Sequence, residues 1–330
     1  MKLGSLKSKT SIDGELVLVS HDLKKMAKAG DIAPNLLVAL ERWDQVLPAL
    51  KKRDQELNQG IFSEALPYDE KEMAAALPRT WLFADGSAFI HHIKLVRLAR
   101  KAALPETLLT VPLMYQAESA RFLDPLEDIP QRDFAHGSDF EAEVGVITDF
   151  VPMGTSAQEA LQKIRLIILI NDVSLRGLIP EELAQGFGFF QSKPASSLSP
   201  IAVTPDELGE AWRDGRVHLP LNVKYKGEFF GRANAGEMHF HFGELIAHAA
   251  KTRSLVAGTL IGSGTVANSL VSEDPSIGSS CLAEKRTLEQ LGQGKISTPF
   301  MKVGDTVEIW MNDLDGASIF GRIYQQVACH

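Results

Sequence analysis

The sequence predicts an α+β chain, rich in β-structure, with a small N-terminal domain ahead of a larger one. Three features of the 330 residues lead there. Short segments with period-two apolar alternation, closed by turn dipeptides, recur through the second half. A single strong helical stripe stands near the N-terminus. Between that stripe and the rest lies a polar, proline-containing stretch, 58–78, that reads as a linker.

Taken in order, residues 11–20 predict a strand entered through the Asp13-Gly14 turn. From Pro34 to about Leu57, apolar Leu36, Leu37, Leu40, Trp43, Leu47 and Leu50 recur at three- and four-residue steps, which predicts one helix with one buried face. The linker then divides the chain into residues 1–78 and 79–330. Ser156-x-x-Glu159 is a capping-box pattern that opens a short helix, and Leu166 to Asn171 follows as a fully buried strand ending at Asp172. Residues 255–261 read as a further strand, and Gly262-Ser263-Gly264-Thr265 as the turn after it. Val217, Leu219, Leu221, Val223 and Tyr225 alternate before the turn at Lys226-Gly227. Val307, Ile309 and Met311 alternate before the turn at Asp315-Gly316. No repeat of fixed period is present.

Composition excludes several classes of function. The net charge of −8 argues against nucleic acid and anionic membranes as partners, because both need a concentrated basic surface. Cys281 and Cys329 are far apart, so neither a disulfide framework nor a cysteine zinc site is indicated. MKLGSLKSKT lacks the apolar core of a signal peptide, and the longest aliphatic run, Leu166 to Ile170, is too short to span a bilayer. A soluble cytoplasmic protein is expected.

One stretch asks for a chemical explanation. In DFEAEVGVI, residues 139–147, Glu141 and Glu143 share one face of a half-buried strand while Ala142, Val144 and Val146 share the other. Like charges so placed repel unless water or a cation lies between them. Asp172 closes an apolar strand, where a carboxylate must cap a turn, pair with a cation such as Arg176, or bind a metal. Asp85, in Asp85-Gly86-Ser87, reads either as an N-cap or as a ligand. His92 follows it by seven residues, nearly two helical turns, so in a helix Asp85 and His92 share a face that His91 does not. Oxygen ligands without cysteine describe a hard-cation site for Mg²⁺, Ca²⁺ or Mn²⁺. The glycine cluster lacks the lysine of a P-loop, and no G-x-S-x-G elbow is present. His239 and His241 form an H-x-H whose better reading is structural.

DFEAEVGVI, followed by LINDVSLRGL, FFQSKPASSLSP, IGSGTVAN and GSSCLAEKR, resembles the fumarylacetoacetate hydrolase family in order and spacing, from about Trp81 to the C-terminus. The resemblance implies a catalytic domain built on a rolled, mixed β-sheet, usually dimeric. It implies that Asp85, Glu141, Glu143 and Asp172 ligate one divalent cation, which would explain the paired glutamates. It further implies His92 as general base, Glu284 as the carboxylate that orients it, and Lys193 as a third catalytic group. Arg176, Tyr115 and Thr265 match positions that contact the metal site or substrate. Two places depart from the family pattern, Ile179 where a glutamine stands and Leu183 where a tyrosine stands, and Glu284 is matched across a one-residue gap.

The reaction so implied is metal-dependent hydrolysis of a carbon–carbon bond in a 1,3-dicarbonyl acid, foremost fumarylacetoacetate in aromatic amino acid breakdown. Tyr115 and one of Lys94, Arg97 or Arg121 are candidates for the substrate's distal carboxylate. Acylpyruvate hydrolysis, 2-oxo acid decarboxylation and dienoate isomerisation need the same metal-chelated enolate. A non-catalytic metal–dicarboxylate binder is the alternative from another class. The presence of His92 and Glu284 beside the ligand set speaks against it, since a binder needs no base.

Overall fold

The computed structural model describes residues 1–99, 103–272 and 274–330. The first residues form a strand, β1 (Lys2–Leu6), where the sequence suggested no element. Its backbone groups are satisfied by partners distant in sequence, β2 (Glu15–Val19) on one side and a strand some 200 residues later on the other, so local pattern alone does not announce it. β3 (Lys25–Lys28) pairs with β2.

The helical stripe that follows is not one helix. Arg42 leaves the helical region (φ −122°, ψ 28°) and divides it into α1 (Leu36–Glu41) and α2 (Trp43–Asn58). Asn35 caps α1 by accepting from the Val38 N–H. Leu36, Leu37, Leu40, Trp43 and Leu50 still reach one core, because the bend turns the axis without rotating the apolar face away. The stretch 58–78 is no free tether either. It contributes β4 (Leu66–Pro67), paired with β3, and buries Ala75, Ala76 and Leu77.

The remaining strands and helices are β5 (Phe83–Gly86), α3 (Ile90–Ala99), β6 (Met114–Ala117), β7 (Ile129–Gln131), β8 (Ser138–Asp139), β9 (Ala142–Thr148) and α4 (Ala157–Leu161). After them come β10 (Ile164–Asn171), β11 (Ser174–Leu175), α5 (Ile179–Ala184), β12 (Ser197–Leu198), β13 (Ile201–Val203), β14 (Trp212–Arg213) and β15 (Arg216–Val217). The chain closes with β16 (Pro220–Tyr225), β17 (Glu228–Asn234), α6 (Phe242–Ala249), β18 (Leu260–Gly262), α7 (Leu282–Gln293), β19 (Thr306–Asn312) and β20 (Ser318–Cys329). The capping box at Ser156 and Glu159 opens α4 as the sequence predicts. The strand expected over 255–261 shrinks to β18, because Leu255 only bridges Val151 before the chain turns at Gly258.

An 11-stranded mixed sheet runs β4-β3-β2-β1-β13-β10-β9-β18-β5-β6, with β12 beside β10 and only β18–β5 parallel. The β1–β13 pairing carries this sheet from the N-terminal segment into the rest of the chain. A five-stranded sheet, β17-β16-β19-β20-β7, supplies the second layer. β10 shows why its run is apolar throughout. Ile167 and Leu169 enter the core between the sheets, whereas Leu166, Ile168 and Ile170 enter the core under α1 and α2. In the second sheet the predicted alternation holds. Leu221, Val223 and Tyr225 of β16 and Val307, Ile309 and Met311 of β19 are buried. Lys226 (φ 57°) and Gly227 (φ 80°) make the turn that closes the β16–β17 hairpin.

Candidate metal centre and active site

The functional residues gather at one end of the central strands. Asp85 is the penultimate residue of β5, Glu143 the second of β9, Asp172 follows β10, and Tyr115 faces Asp85 from β6. Gly262 of β18 pairs with both Asp85 and Gly145. A Cβ at Gly262 would collide with Asp85 Oδ1 and crowd Glu143 Oε2 at 3.2 Å, so only glycine leaves room between these carboxylates.

Asp85, Glu143 and Asp172 each offer a carboxylate oxygen within 4.8 Å of the others, all three buried. Asp172 is well supplied with donors. Its Oδ1 accepts from Ser196 Oγ at 2.6 Å and its Oδ2 from Tyr115 at 2.6 Å and from Lys193. Asp85 Oδ1 accepts from the Gly264 N–H at 3.2 Å. Among the described residues, neither of Glu143's oxygens, both fully buried, meets a hydrogen-bond donor. Burial, then repulsion from Asp172, pushes Asp85 up to about 7, and burial with the neighbouring Asp85 raises Glu143 well above the carboxylate range. A divalent cation fits this arrangement. It would supply the missing partner of Glu143 and relieve the repulsion among three oxygen donors of the kind hard cations take.

Glu141 is neutralised differently. Its Oε1 accepts from Arg176 at 2.5 Å and its Oε2 from Lys193 at 2.7 Å. Burial opposes its ionisation, but these two cations outweigh burial and hold it well below the usual range. Arg176 does not pair with Asp172, the partner considered from the sequence; it bridges Glu141 to Asp139, whose Oδ2 lies 2.9 Å from its Nε. Lys193 is the residue that meets Asp172. The structure thus groups Asp85, Glu143 and Asp172, and sets Glu141 at their edge within a cationic pair.

His92 comes to this site by a different route from the one its spacing suggested. Asp85 lies on a strand and α3 begins only at Ile90, so the two share no helical face. The turn through 87–89 nevertheless brings both to one cavity. His92 Nδ1 lies 3.7 Å from Glu284 Oε2 and its Nε2 lies 4.0 Å from Glu141 Oε1. Both oxygens of Glu284 are buried without a donor. Glu284 occupies the first turn of α7, whose cap, Cys281, accepts from the Glu284 N–H through sulfur at 3.3 Å. His91 does not line the cavity, and burial lowers its pKa.

The cavity measures about 310 Å³. Thr265, Tyr115, Lys193 and Arg176 line it. Ile93, Val96, Leu113, Ile179, Leu183 and Phe189 add apolar lining. Phe189 stacks edge-on against Tyr115 at 4.8 Å. Of the cations weighed for a distal carboxylate, Arg97 reaches the cavity, Lys94 is exposed and does not line it, and Arg121 pairs with Glu127 away from it. Sequence reasoning missed Ser196, Gly262 and Asp139. Asp139 stands two residues before Glu141, and its alternation with the paired glutamates was the available signal.

A model of the fumarylacetoacetate (FAA) hydrolase C-terminal region matches residues 82–328, and one of the fumarylacetoacetase N-terminal domain 2 matches residues 1–79. A 2,4-didehydro-3-deoxy-L-rhamnonate hydrolase from Sphingomonas sp. (strain SKA58) is 29% identical over 160 residues, covering 47% of this chain and 53% of that protein. The chain therefore spans about half the length of the curated relative it matches. The fold is that of fumarylacetoacetate hydrolase from Exiguobacterium antarcticum (TM-score 0.68, 15% identity, 100% of both chains). It is also that of maleylpyruvate hydrolase from Sphingobium sp. SYK-6 (TM-score 0.66, 13% identity, 100% of both chains). With the family model spanning 82–328 and the acidic cluster and histidine side by side within it, the chain belongs to the fumarylacetoacetate hydrolase family, a group of hydrolases and isomerases.

Proposed function

We propose that this protein hydrolyses a carbon–carbon bond of a 1,3-dicarbonyl acid with a divalent cation, Mg²⁺, Mn²⁺ or Ca²⁺, held by Asp85, Glu143 and Asp172 with Glu141 beside them. The observation that carries the reading is that His92, Asp85 and Glu143 line one cavity. Bound there, the cation supplies Lewis-acid polarisation of the substrate's oxygens. The rest falls to side chains. As a water oxygen bonds to the carbonyl carbon, His92 takes the water's proton, and the carbon released when the C–C bond breaks has to receive one. Glu284, with Oε2 3.7 Å from Nδ1, is placed to orient the imidazole. Lys193 and Arg176 offset the charge of Glu141 and Asp172 beside the substrate, and the Tyr115–Phe189 pair forms part of the wall. The 29% identity to the 2,4-didehydro-3-deoxy-L-rhamnonate hydrolase supports a hydrolytic reaction. A small-molecule acid as the only partner besides a second copy of the chain, and a cytoplasmic setting, belong to the same proposal.

Within this class fumarylacetoacetate needs a cation for its distal carboxylate. Among the described residues lining the cavity, Arg97 is the one cation not tied to a carboxylate, and it donates to the Ala103 carbonyl at 2.7 Å. The apolar lining, with Ile179 and Leu183 in it, favours a second reading, an acylpyruvate whose tail is uncharged. Turnover of fumarylacetoacetate, alkyl acylpyruvates and oxaloacetate is measured with Mg²⁺ or Mn²⁺ and again in EDTA. Cation-dependent cleavage of a dicarbonyl acid is expected. Cleavage of acylpyruvates alone removes fumarylacetoacetate and keeps the reaction class, and oxaloacetate decarboxylation alone removes the class.

A further inference from the structure

We infer that Asp139 is a positioning residue that sets both ends of the catalytic apparatus, the first turn of α7 that carries Glu284 and the guanidinium of Arg176 that neutralises Glu141. The inference rests on the proposed role of Glu284 beside His92.

Helix α7 begins with a weak cap. A thiol sulfur is a poor acceptor compared with the oxygen of Ser, Thr, Asp or Asn, and Cys281 reaches only the Glu284 N–H. The two preceding N–H groups are met from elsewhere in the fold. Asp139 Oδ1 accepts from Leu282 N at 2.7 Å, 143 residues away, and Oδ2 accepts from Ala283 N at 2.9 Å. A buried carboxylate at a helix N-terminus satisfies orphan donors and faces the positive end of the macrodipole. Oδ2 also accepts from Arg176 Nε at 2.9 Å, and the same guanidinium donates onward to Glu141. Asp139 itself is fully buried and held in register by the pairing of β8 with β11, Ser174 opposite Asp139. It lines no part of the cavity and so acts through Glu284 and Arg176.

Three donors converge on two oxygens, which makes the isosteric amide a sharp probe. In Asp139→Asn either orientation aims Nδ2 at an N–H, at Leu282 in one and at Ala283 and Arg176 in the other, while size is unchanged. Two readouts are taken on the full chain. By amide hydrogen exchange, Leu282, Ala283 and Glu284 should exchange at least tenfold faster in the variant. By steady-state kinetics on the best dicarbonyl acid, kcat should fall about 10- to 100-fold, with KM and Mn²⁺ affinity within about threefold. Combined with Glu284→Gln, the two losses should not multiply, because both act on one histidine. Adding Cys281→Ser, a stronger cap, should recover part of kcat in Asp139→Asn, which a mere packing role would not allow. Unchanged exchange in the first turn, or full multiplication of the losses, overturns the inference. If the wild type turns over none of the acids, the proposed function has failed and exchange alone decides whether Asp139 anchors the turn. If Asp139→Asn does not fold, Cys281→Ala decides: a loss of kcat below threefold supports anchoring by Asp139, and a loss above tenfold assigns it to Cys281.

Discussion

Glu141 and Glu143 stand two residues apart and are neutralised in opposite ways. Glu141 lies between Arg176 at 2.5 Å and Lys193 at 2.7 Å, whereas among the described residues no donor meets either buried oxygen of Glu143. One carboxylate is satisfied by the protein's own cations, and the other is of the kind a divalent cation takes.

Glu143→Gln should therefore separate binding from stability. Without its charge, affinity for Mg²⁺ or Mn²⁺ should fall at least tenfold, about 1.4 kcal/mol. In EDTA the variant should melt a few degrees above the wild type, since a buried repulsion is gone. Calorimetric titration and melting curves with and without EDTA check both signs, and equal cation affinities would end the assignment of Glu143 as a ligand.

Gly262→Ala tests the cradle. The added Cβ collides with Asp85 Oδ1, and Asp85 sits on the neighbouring strand β5, where little room exists for it to retreat. Cation affinity and turnover should drop by tenfold or more, with far-ultraviolet circular dichroism unchanged. A variant with wild-type affinity would show that Asp85 is not held where the cation binds.

His92→Ala should lower kcat by about 10²–10⁴-fold and leave cation affinity within about threefold. His91→Ala, on the side of α3 away from the cavity, should lower kcat less than tenfold. The reverse ranking of the two variants would reassign the base.

Glu289 offers a pH-dependent test outside the site. Burial works against its ionisation, but Thr298, through hydroxyl and N–H, and the Ser297 N–H outweigh burial and hold it at about 2, against an ordinary 4.5. A carboxyl depressed in the folded state stabilises fully above its unfolded value and loses that contribution as pH falls through about 2. Glu289→Gln should thus destabilise by roughly 1–3 kcal/mol at pH 7. The gap to wild type should close between about pH 4.5 and 2. Denaturant melts across that range check it, and a gap independent of pH would mean that the ionised carboxylate is not what holds the 297–298 segment.

Residues near one another in the chain announced their structure. The capping box at Ser156 and Glu159, the alternation of Leu221, Val223 and Tyr225, and the unbroken apolar run of β10 are each patterns written within a few adjacent positions. The carboxylates were recognisable because charge in an apolar strand is costly wherever it occurs. What depended on the assembled fold was the distribution of partners. Asp85 reaches the site from a strand beside β18, Arg176 turns to Asp139 and leaves Asp172 to Lys193, and α7 is capped by an aspartate 143 residues distant. Hydrogen bonds and ion pairs act over a few ångströms in space, and strand pairing between β5, β9, β10 and β18 brings those groups within reach across intervals that no local period encodes.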